Sequence, residues 1–247
     1  KQVAGKPLQR PPWYYDTTQQ GEAIVDVNTH LTDLIQWETF PEVTLTPADI
    51  NVVQARIWNT PVTLEQFTTS TSLTAWPDYL KKDLDANGVL QCKANGEFTY
   101  SIKGVFAKAS VLWNFQAPAG AGDTHFSLMR GTRASLIIQQ GEAEGYKPVL
   151  YVEPRRSPGV KKEELEAALK EAVAALNKTY PGIGCEAHET GWRINIPASY
   201  AVGHEAHFGQ VMEKYLGYLQ NGDMPAWEVP NMIVKYHTLM QAYSKSR

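Results

Sequence analysis

Asp26, His30 and Asp33 are the residues of this sequence whose types and spacing most readily do proton chemistry. They stand four and three apart in GEAIVDVNTHLTDLIQW, so a helix there puts all three side chains on one face. A carboxylate one turn from an imidazole holds its tautomer and raises its pKa toward neutrality, which suits a general acid/base. From spacing alone, an exposed i,i+4 pair worth roughly 0.3 kcal/mol is the readier account.

A second cluster, Gly203-His204-Glu205-Ala206-His207, opens another predicted helix. His204 and His207 could share a metal or a polyol with a third ligand such as His125 or His30. The HxxH spacing is common and fixes no third ligand. Substrate-pocket lining by His204, Glu205 and His207, and ordinary capping or packing, therefore stay open beside a metal. Two further motifs fail on context. Gly182-Ile183-Gly184-Cys185-Glu186-Ala187 fits GxGxxA but follows a helix and leads into a strand, the reverse of a dinucleotide loop. Asp83-Leu84-Asp85-Ala86-Asn87-Gly88 fits half a calcium loop, yet position twelve is Ala94 where a bidentate Glu belongs. A polar turn is the better reading there.

The elements that must position these residues follow from periodicity. Ile24, Val27, Leu31, Leu34 and Ile35 recur at three-to-four-residue spacing, which predicts a helix over Gly21–Trp37, closed by Pro41. Residues 49–60 alternate and are β-branched, hence a strand. Thr63 and Gln66 form a capping box with Val62 and Phe67 as its staple, so a short helix starts at residue 64. Asn95-Gly96 between two alternating runs predicts a hairpin within an antiparallel meander over 88–140. A βαββ block over about 148–197 reads as a small insertion, and helices over 203–220 and 228–244 close the chain. The seven tryptophans mostly fall on apolar positions of elements, so core is their default. The predicted class is α+β: an open, mostly antiparallel sheet with helices packed on one face, plus the βαββ insertion.

Length and composition narrow the function. With 247 residues, 43% hydrophobic and 20% charged, the chain is long enough for a sizeable core. A net charge of −3 without a basic cluster argues against nucleic acid. No apolar run spans a bilayer, so no membrane partner is expected. Cys92 and Cys185 have no CxxC or CxxH neighbour and read as free thiols, and no metal set is signalled. The opening, KQVAGKPLQRPPWYYD, lacks Met and reads as the inside of a longer protein, with residues 1–20 as an arm that docks its aromatics. On that reading nothing indicates the compartment.

The residues also resemble a known family. GEAIVDVNTHLTDLIQW is similar to the start of the C-terminal domain in the glucose-fructose oxidoreductase and inositol dehydrogenase (Gfo/Idh/MocA) family. GTRASLIIQQG, GYKPVLYVEP, GHEAHF and MPAWEVPNMIVKYHTLMQAY resemble a subgroup described as putative oxidoreductase C-terminal domains, so the likeness covers nearly the whole chain. The resemblance implies that Asp26 and His30 handle the substrate hydroxyl proton during hydride transfer to NAD or NADP. It implies a homo-oligomer formed through the open sheet face, and it reverses the reading of Asp26 and His30 as an idle surface pair. It also implies a preceding Rossmann domain carrying a Gly-rich loop and the Lys of an EKP motif. Neither occurs in these residues, so no cofactor-binding residue is expected here and the 247 residues alone are expected to be inactive. The expected function is the substrate-binding and oligomerisation domain of an NAD(P)-dependent oxidoreductase of sugars, cyclitols or polyols. A non-catalytic carbohydrate-binding or scaffold module, and a metal-dependent hydrolase built on the HEAH histidines, are the rivals.

Overall fold

Along residues 2–157 and 159–247, which the computed structural model describes, short strands β1 (Gln2–Val3) and β2 (Lys6–Pro7) lead to helices α1 (Thr17–Gln20) and α2 (Asn28–Thr39). Strand β3 (Ile50–Val62), helix α3 (Leu64–Thr71) and strands β4 (Leu90–Ile102) and β5 (Val105–Val111) follow. Then come β6 (His125–Arg130), β7 (Ala134–Gln140), β8 (Val149–Pro154), α4 (Lys162–Thr179), β9 (Gly184–His188) and β10 (Gly191–Asn195). Helices α5 (His204–Asn221) and α6 (Glu228–Lys245) close the order. The result is α+β, as expected, with antiparallel sheets and helices. The chain divides into two units, one of residues 1–116 with 221–247, the other of 117–220.

In the first unit the sheet runs β3-β4-β5, with α6 packed on β3 and α2 on β5. Strand β4 alternates as a half-buried strand should: Phe98, Tyr100 and Ile102 point inward against Ile24, Val52, Val234 and Leu239. Glu97 and Thr99 alternate with them on the open face, where Glu97 bridges Arg56 (2.8 Å) and Lys108 (2.9 Å). A second apolar cluster gathers Tyr15, Val62, Phe67, Leu80, Leu90 and Cys92. Of the arm's aromatics, Tyr15 is buried in this cluster and Tyr14 packs against it, while Trp13 stays exposed. The predicted capping box is present at Thr63 and Gln66, and its staple residues Val62 and Phe67 are fully buried. Burial pushes the Cys92 thiol up to about 11, and both cysteines are free.

Two expectations for this unit fail, for related reasons. No hairpin forms at Asn95-Gly96, since β4 runs straight through both and the turn comes at Lys103-Gly104, whose φ of 46° and 81° suit a two-residue loop. Asn95 is buried instead. It donates to Thr60 Oγ1 (2.7 Å) and the Trp58 carbonyl (3.3 Å) and accepts from the Trp113 amide (2.8 Å), beside a slip in the β3–β4 register. At Gly96 a Cβ would stand 3.0 Å from Ile24 Cγ1 and 3.1 Å from Ala23 Cβ. The glycine serves a close approach between the 22–27 turn and the strand, not a reversal of the chain.

The same approach shortens the helix predicted from Gly21. Residues 23–27 form a turn, and α2 starts at Asn28. Ala23 N bonds the Lys93 carbonyl (3.2 Å), and Asn28 Nδ2 reaches the Ala23 and Gly96 carbonyls (3.3 Å each). Glu22, also buried, pairs with Lys93 (3.4 Å) and Arg247 (3.3 Å). Those bonds fix the turn to β4 before the helix can begin. They also rotate α2 away from the expected orientation: its buried residues are Asn28, Thr32 and Gln36, while Val27, Leu34 and Trp37 face outward.

In the second unit five antiparallel strands run β6-β7-β8-β10-β9. The predicted βαββ block appears as β8-α4-β9-β10, and its sheet continues through β7 into β6 rather than ending at the block. Leu165, Leu169 and Val173 of α4 pack on Val152, Trp192 and Ile194. Among the described residues Trp192 is the one buried tryptophan; Trp13 and Trp37 are exposed.

Replacing Gly96 with Ala should cost roughly 1–3 kcal/mol, the usual range for overpacking, because Ala23 and Ile24 are themselves buried. Urea unfolding of the two proteins measures it, and unchanged stability would remove the close approach as a constraint. The α1 N-cap gives a pH-dependent test. Burial raises the Asp16 pKa, but hydrogen bonds from Gln19 and Thr18 outweigh it and hold the carboxyl below its ordinary value. Its contribution is therefore complete above the ordinary carboxylate pKa and lost as pH falls through the lowered one. Asp16→Ala should cost about 1 kcal/mol at neutral pH, with the difference from the parent closing in acid.

Candidate functional site

Helix α2 carries an inverted pattern. Its buried side is built from polar residues that bond mostly to nearby backbone groups. Thr32 Oγ1 donates to the Asn28 carbonyl (2.9 Å), and the Gln36 amide, oriented to suit both neighbours, reaches Asn231 O (3.1 Å) and Lys235 N (3.3 Å). Leu31 and Ile35 flank that row and touch the core. The outward side then holds Val27, His30, Leu34 and Trp37 at spacings of three and four, with the three apolar members 42–57% exposed.

Into this outward face the structure places the predicted acid/base residues. His30 is exposed on the first turn of α2; Asp33 lies one turn on, on the same side. Asp26 sits in the turn just before the helix, half-buried, and its main-chain carbonyl accepts from Thr29 Oγ1 (2.6 Å). Its carboxylate is 3.5 Å from Gln20 Nε2. No hydrogen bond or ion pair joins Asp26 to His30 among the described residues, so the imidazole is free to take an outside partner. Two surface hollows, of about 280 Å³ at Gln54–Arg56 with Glu97–Thr99 and about 620 Å³ between β3 and α6, do not include these three residues. The candidate site is open on the side away from the sheet.

Sequence reasoning missed two charged residues here. Lys235 of α6, mostly buried, brings its ammonium to 3.4 Å from Asp33 Oδ1 and sets a cation beside the row. Glu22 anchors the turn that carries Asp26. Glu22 could have been noticed as the one charge in an otherwise apolar GEAIV run; Lys235 lies about two hundred residues from its partner, and no local pattern reveals it.

The remaining predicted residues lie in the second unit. His125 opens β6 opposite Gln140, partly exposed. His204, Glu205 and His207 are exposed on the first turns of α5, where His204 stands 3.8 Å from Glu205 and stacks near Phe208. Among the described residues no three His, Cys, Asp or Glu side chains gather as a metal site would require. Gly182 precedes the edge strand β9 and Gly184 opens it, and neither opens a helix, so they build no phosphate cradle. Asp85 Oδ1 instead closes the polar turn, accepting from the Asn87 and Val89 amides (2.9 and 3.0 Å). No described helix is long and apolar enough to cross a membrane.

Comparison with known proteins bears on the whole chain. A crystal structure of a putative oxidoreductase from Parabacteroides merdae ATCC 43184 is 47% identical, covers all of this chain and superposes with a TM-score of 0.94. This chain spans 56% of that protein, a little over half its length. No curated protein matches. Residues 1–247 match the family described as "Putative oxidoreductase C terminal domain" from end to end. The chain, an oxidoreductase-associated domain, belongs to that family.

Proposed function

We propose that this chain is the substrate-handling domain of an NAD(P)-dependent oxidoreductase of the Gfo/Idh/MocA type, acting on a sugar, cyclitol or other polyol. The observation that carries the reading is the inverted face of α2. A helix that buries Asn28, Thr32 and Gln36 and turns Val27, Leu34 and Trp37 outward has its apolar side waiting for cover. His30, Asp26 and Asp33 lie within that face, so covering it would enclose them in a dry cleft. The solved relative is almost twice as long as this chain, which agrees with cover supplied by another part of a longer protein.

The residues present fit one half of the chemistry and not the other. They include no glycine loop that could hold a dinucleotide, so NAD or NADP would be bound outside these 247 residues. Hydride acceptance is the chemistry the nicotinamide supplies when bound. His30, with no side-chain partner among the described residues, would take the proton from a substrate hydroxyl. Asp26, at the start of the same face, would favour the imidazolium that forms. Asp33, held by Lys235, would offer an acceptor to a neighbouring hydroxyl, and Trp37, one turn further along, an apolar surface for a sugar ring.

The test is turnover by the full-length protein with NAD or NADP and a panel of sugars and cyclitols. His30→Ala should lower kcat by about 10²–10⁴-fold, the span of general acid–base catalysis, and leave the fold unchanged. Turnover unaffected by that substitution would sink the assignment. Stoichiometric binding of a sugar without any turnover would favour a non-catalytic carbohydrate module.

A further inference from the structure

Lys235 of α6 is the least exposed cation in any ion pair among the described residues: 17% of its side chain is accessible, against 40% or more for each of the others. Its ammonium is also poorly satisfied. It carries three N–H donors, yet among the described residues it makes an ion pair and no hydrogen bond. Asp33 Oδ1 stands 3.4 Å away, beyond the roughly 2.7–2.9 Å of a charge-assisted bond. The Tyr236 ring, 5.2 Å off, adds only a weak attraction. By contrast the exposed pairs Lys170–Glu166 (2.7 Å) and Lys161–Glu164 (2.8 Å) close fully. A charge drawn this far out of water is unfavourable unless its donors are filled. As a tie between α2 and α6 it is superfluous too, because the Gln36 amide already meets Asn231 O and Lys235 N.

We propose that Lys235 determines specificity: together with Asp33 it reads two hydroxyls on neighbouring carbons of an uncharged substrate, the ammonium donating to one and the carboxylate accepting from the other. The inference rests on the substrate-handling role proposed for the α2 face and adds what the substrate must carry there. A donor and an acceptor 3.4 Å apart suit adjacent hydroxyl oxygens, since each hydroxyl can both donate and accept. Charge decides against an acidic substrate. Asp26 and Asp33 outnumber Lys235 on this face, so a carboxylate or phosphate brought to the ammonium meets a net negative surface. A hydroxyl fills the same donors without adding charge. The placement also fits, because Asp33 follows His30 by three residues on one side of α2. The hydroxyls that Lys235 and Asp33 hold therefore lie on the side where His30 takes its proton.

Calorimetric titration of the full-length protein, with NAD or NADP present, tests this without relying on turnover; the probes are glucose, inositol and their monodeoxy analogues. In the parent, removal of the hydroxyl held by Lys235 should weaken binding about 10–100-fold, the worth of one hydrogen bond to a charged group. Lys235→Met should lose a similar factor for the complete polyol and nothing further for that deoxy analogue, and Lys235→Arg should recover part of the loss. Asp33→Asn, at a half-exposed position where the fold is not at risk, should show the same coupling to the neighbouring hydroxyl. Unchanged affinity in Lys235→Met, or equal losses for the complete and every deoxy compound, overturns the proposal. Tighter binding of gluconate or glucose 6-phosphate than of glucose, abolished by Lys235→Met, overturns it as well, because the ammonium then serves an anion. The catalytic reading fails separately: binding with the expected coupling but no turnover removes that reading alone, while His30-dependent turnover indifferent to Lys235→Met removes only this one. No binding of any of these compounds overturns both.

Discussion

The first unit depends on how closely one turn of chain lies against one strand. Residues 22–27 rest on β4 so closely that a Cβ at position 96 would crowd Ala23 and Ile24. Three further ties act at the same place: the Ala23–Lys93 main-chain bond, the Asn28 amide across to Gly96, and the Glu22 ion pairs. Each alone is worth about 1 kcal/mol. Their common effect is geometric, because together they set where α2 starts and which side of it meets the sheet. Had the helix begun at Gly21, its apolar stripe could have turned inward. With the turn held down, Asn28 becomes the first buried helical residue, and Thr32 and Gln36 follow it at intervals of one turn.

A buried polar face is stable only when its groups find partners. Here the chain supplies most of them locally. Thr32 bonds within the helix, and Gln36 meets the backbone of α6, where Asn231 in turn accepts from Leu45 N (2.8 Å) and donates to the Val43 carbonyl (2.9 Å). The Asn28 Oδ1 is the exception, fully buried with no bonded donor among the described residues. The arrangement gives up some hydrophobic burial on α2 in exchange for a defined rotation of the helix. Apolar packing alone would tolerate a range of rotations; hydrogen bonds with fixed donors and acceptors do not.

This explains which parts of the fold were legible in the sequence. Elements decided by local chemistry could be read directly. The Thr63–Gln66 capping box, the amphipathic pattern of α4, the ends of α5 and α6, and the polar Asp85 turn all appear where their residues put them. The misreadings share one cause. Asn95-Gly96 is a strong turn signal because both residues tolerate positive φ, yet here Asn95 is used for its three hydrogen bonds and Gly96 for its missing side chain. Both uses depend on segments far away in sequence, at residues 23–28, 58–60 and 113. The stripe Ile24, Val27, Leu31, Leu34 and Ile35 is genuine, but periodicity states only that an apolar face exists, not what it faces. The candidate site divides in the same way: Asp26, His30 and Asp33 could be picked out by spacing, whereas Lys235 joins them only through tertiary packing.

Apolar residues turned outward recur on separate helices, and that repetition is informative. Val27, Leu34 and Trp37 on α2, Met232, Ile233, Tyr236 and Met240 on α6, and Met212, Tyr215, Leu216 and Leu219 on α5 are all large side chains near half exposure. Single exposed hydrophobics are ordinary on any protein, but rows at helical spacing are not. The packed side of α2 is polar, and that of α6 sets Asn231 and Thr238 beside Val234, Leu239 and Ala242, so neither helix can roll over to hide its outward row without leaving Asn28, Gln36 and Asn231 unpaired. On α5 no side is buried at all. The first pair of helices therefore has its exposed face fixed by internal bonds, while among the described residues α5 buries no side that could fix its own.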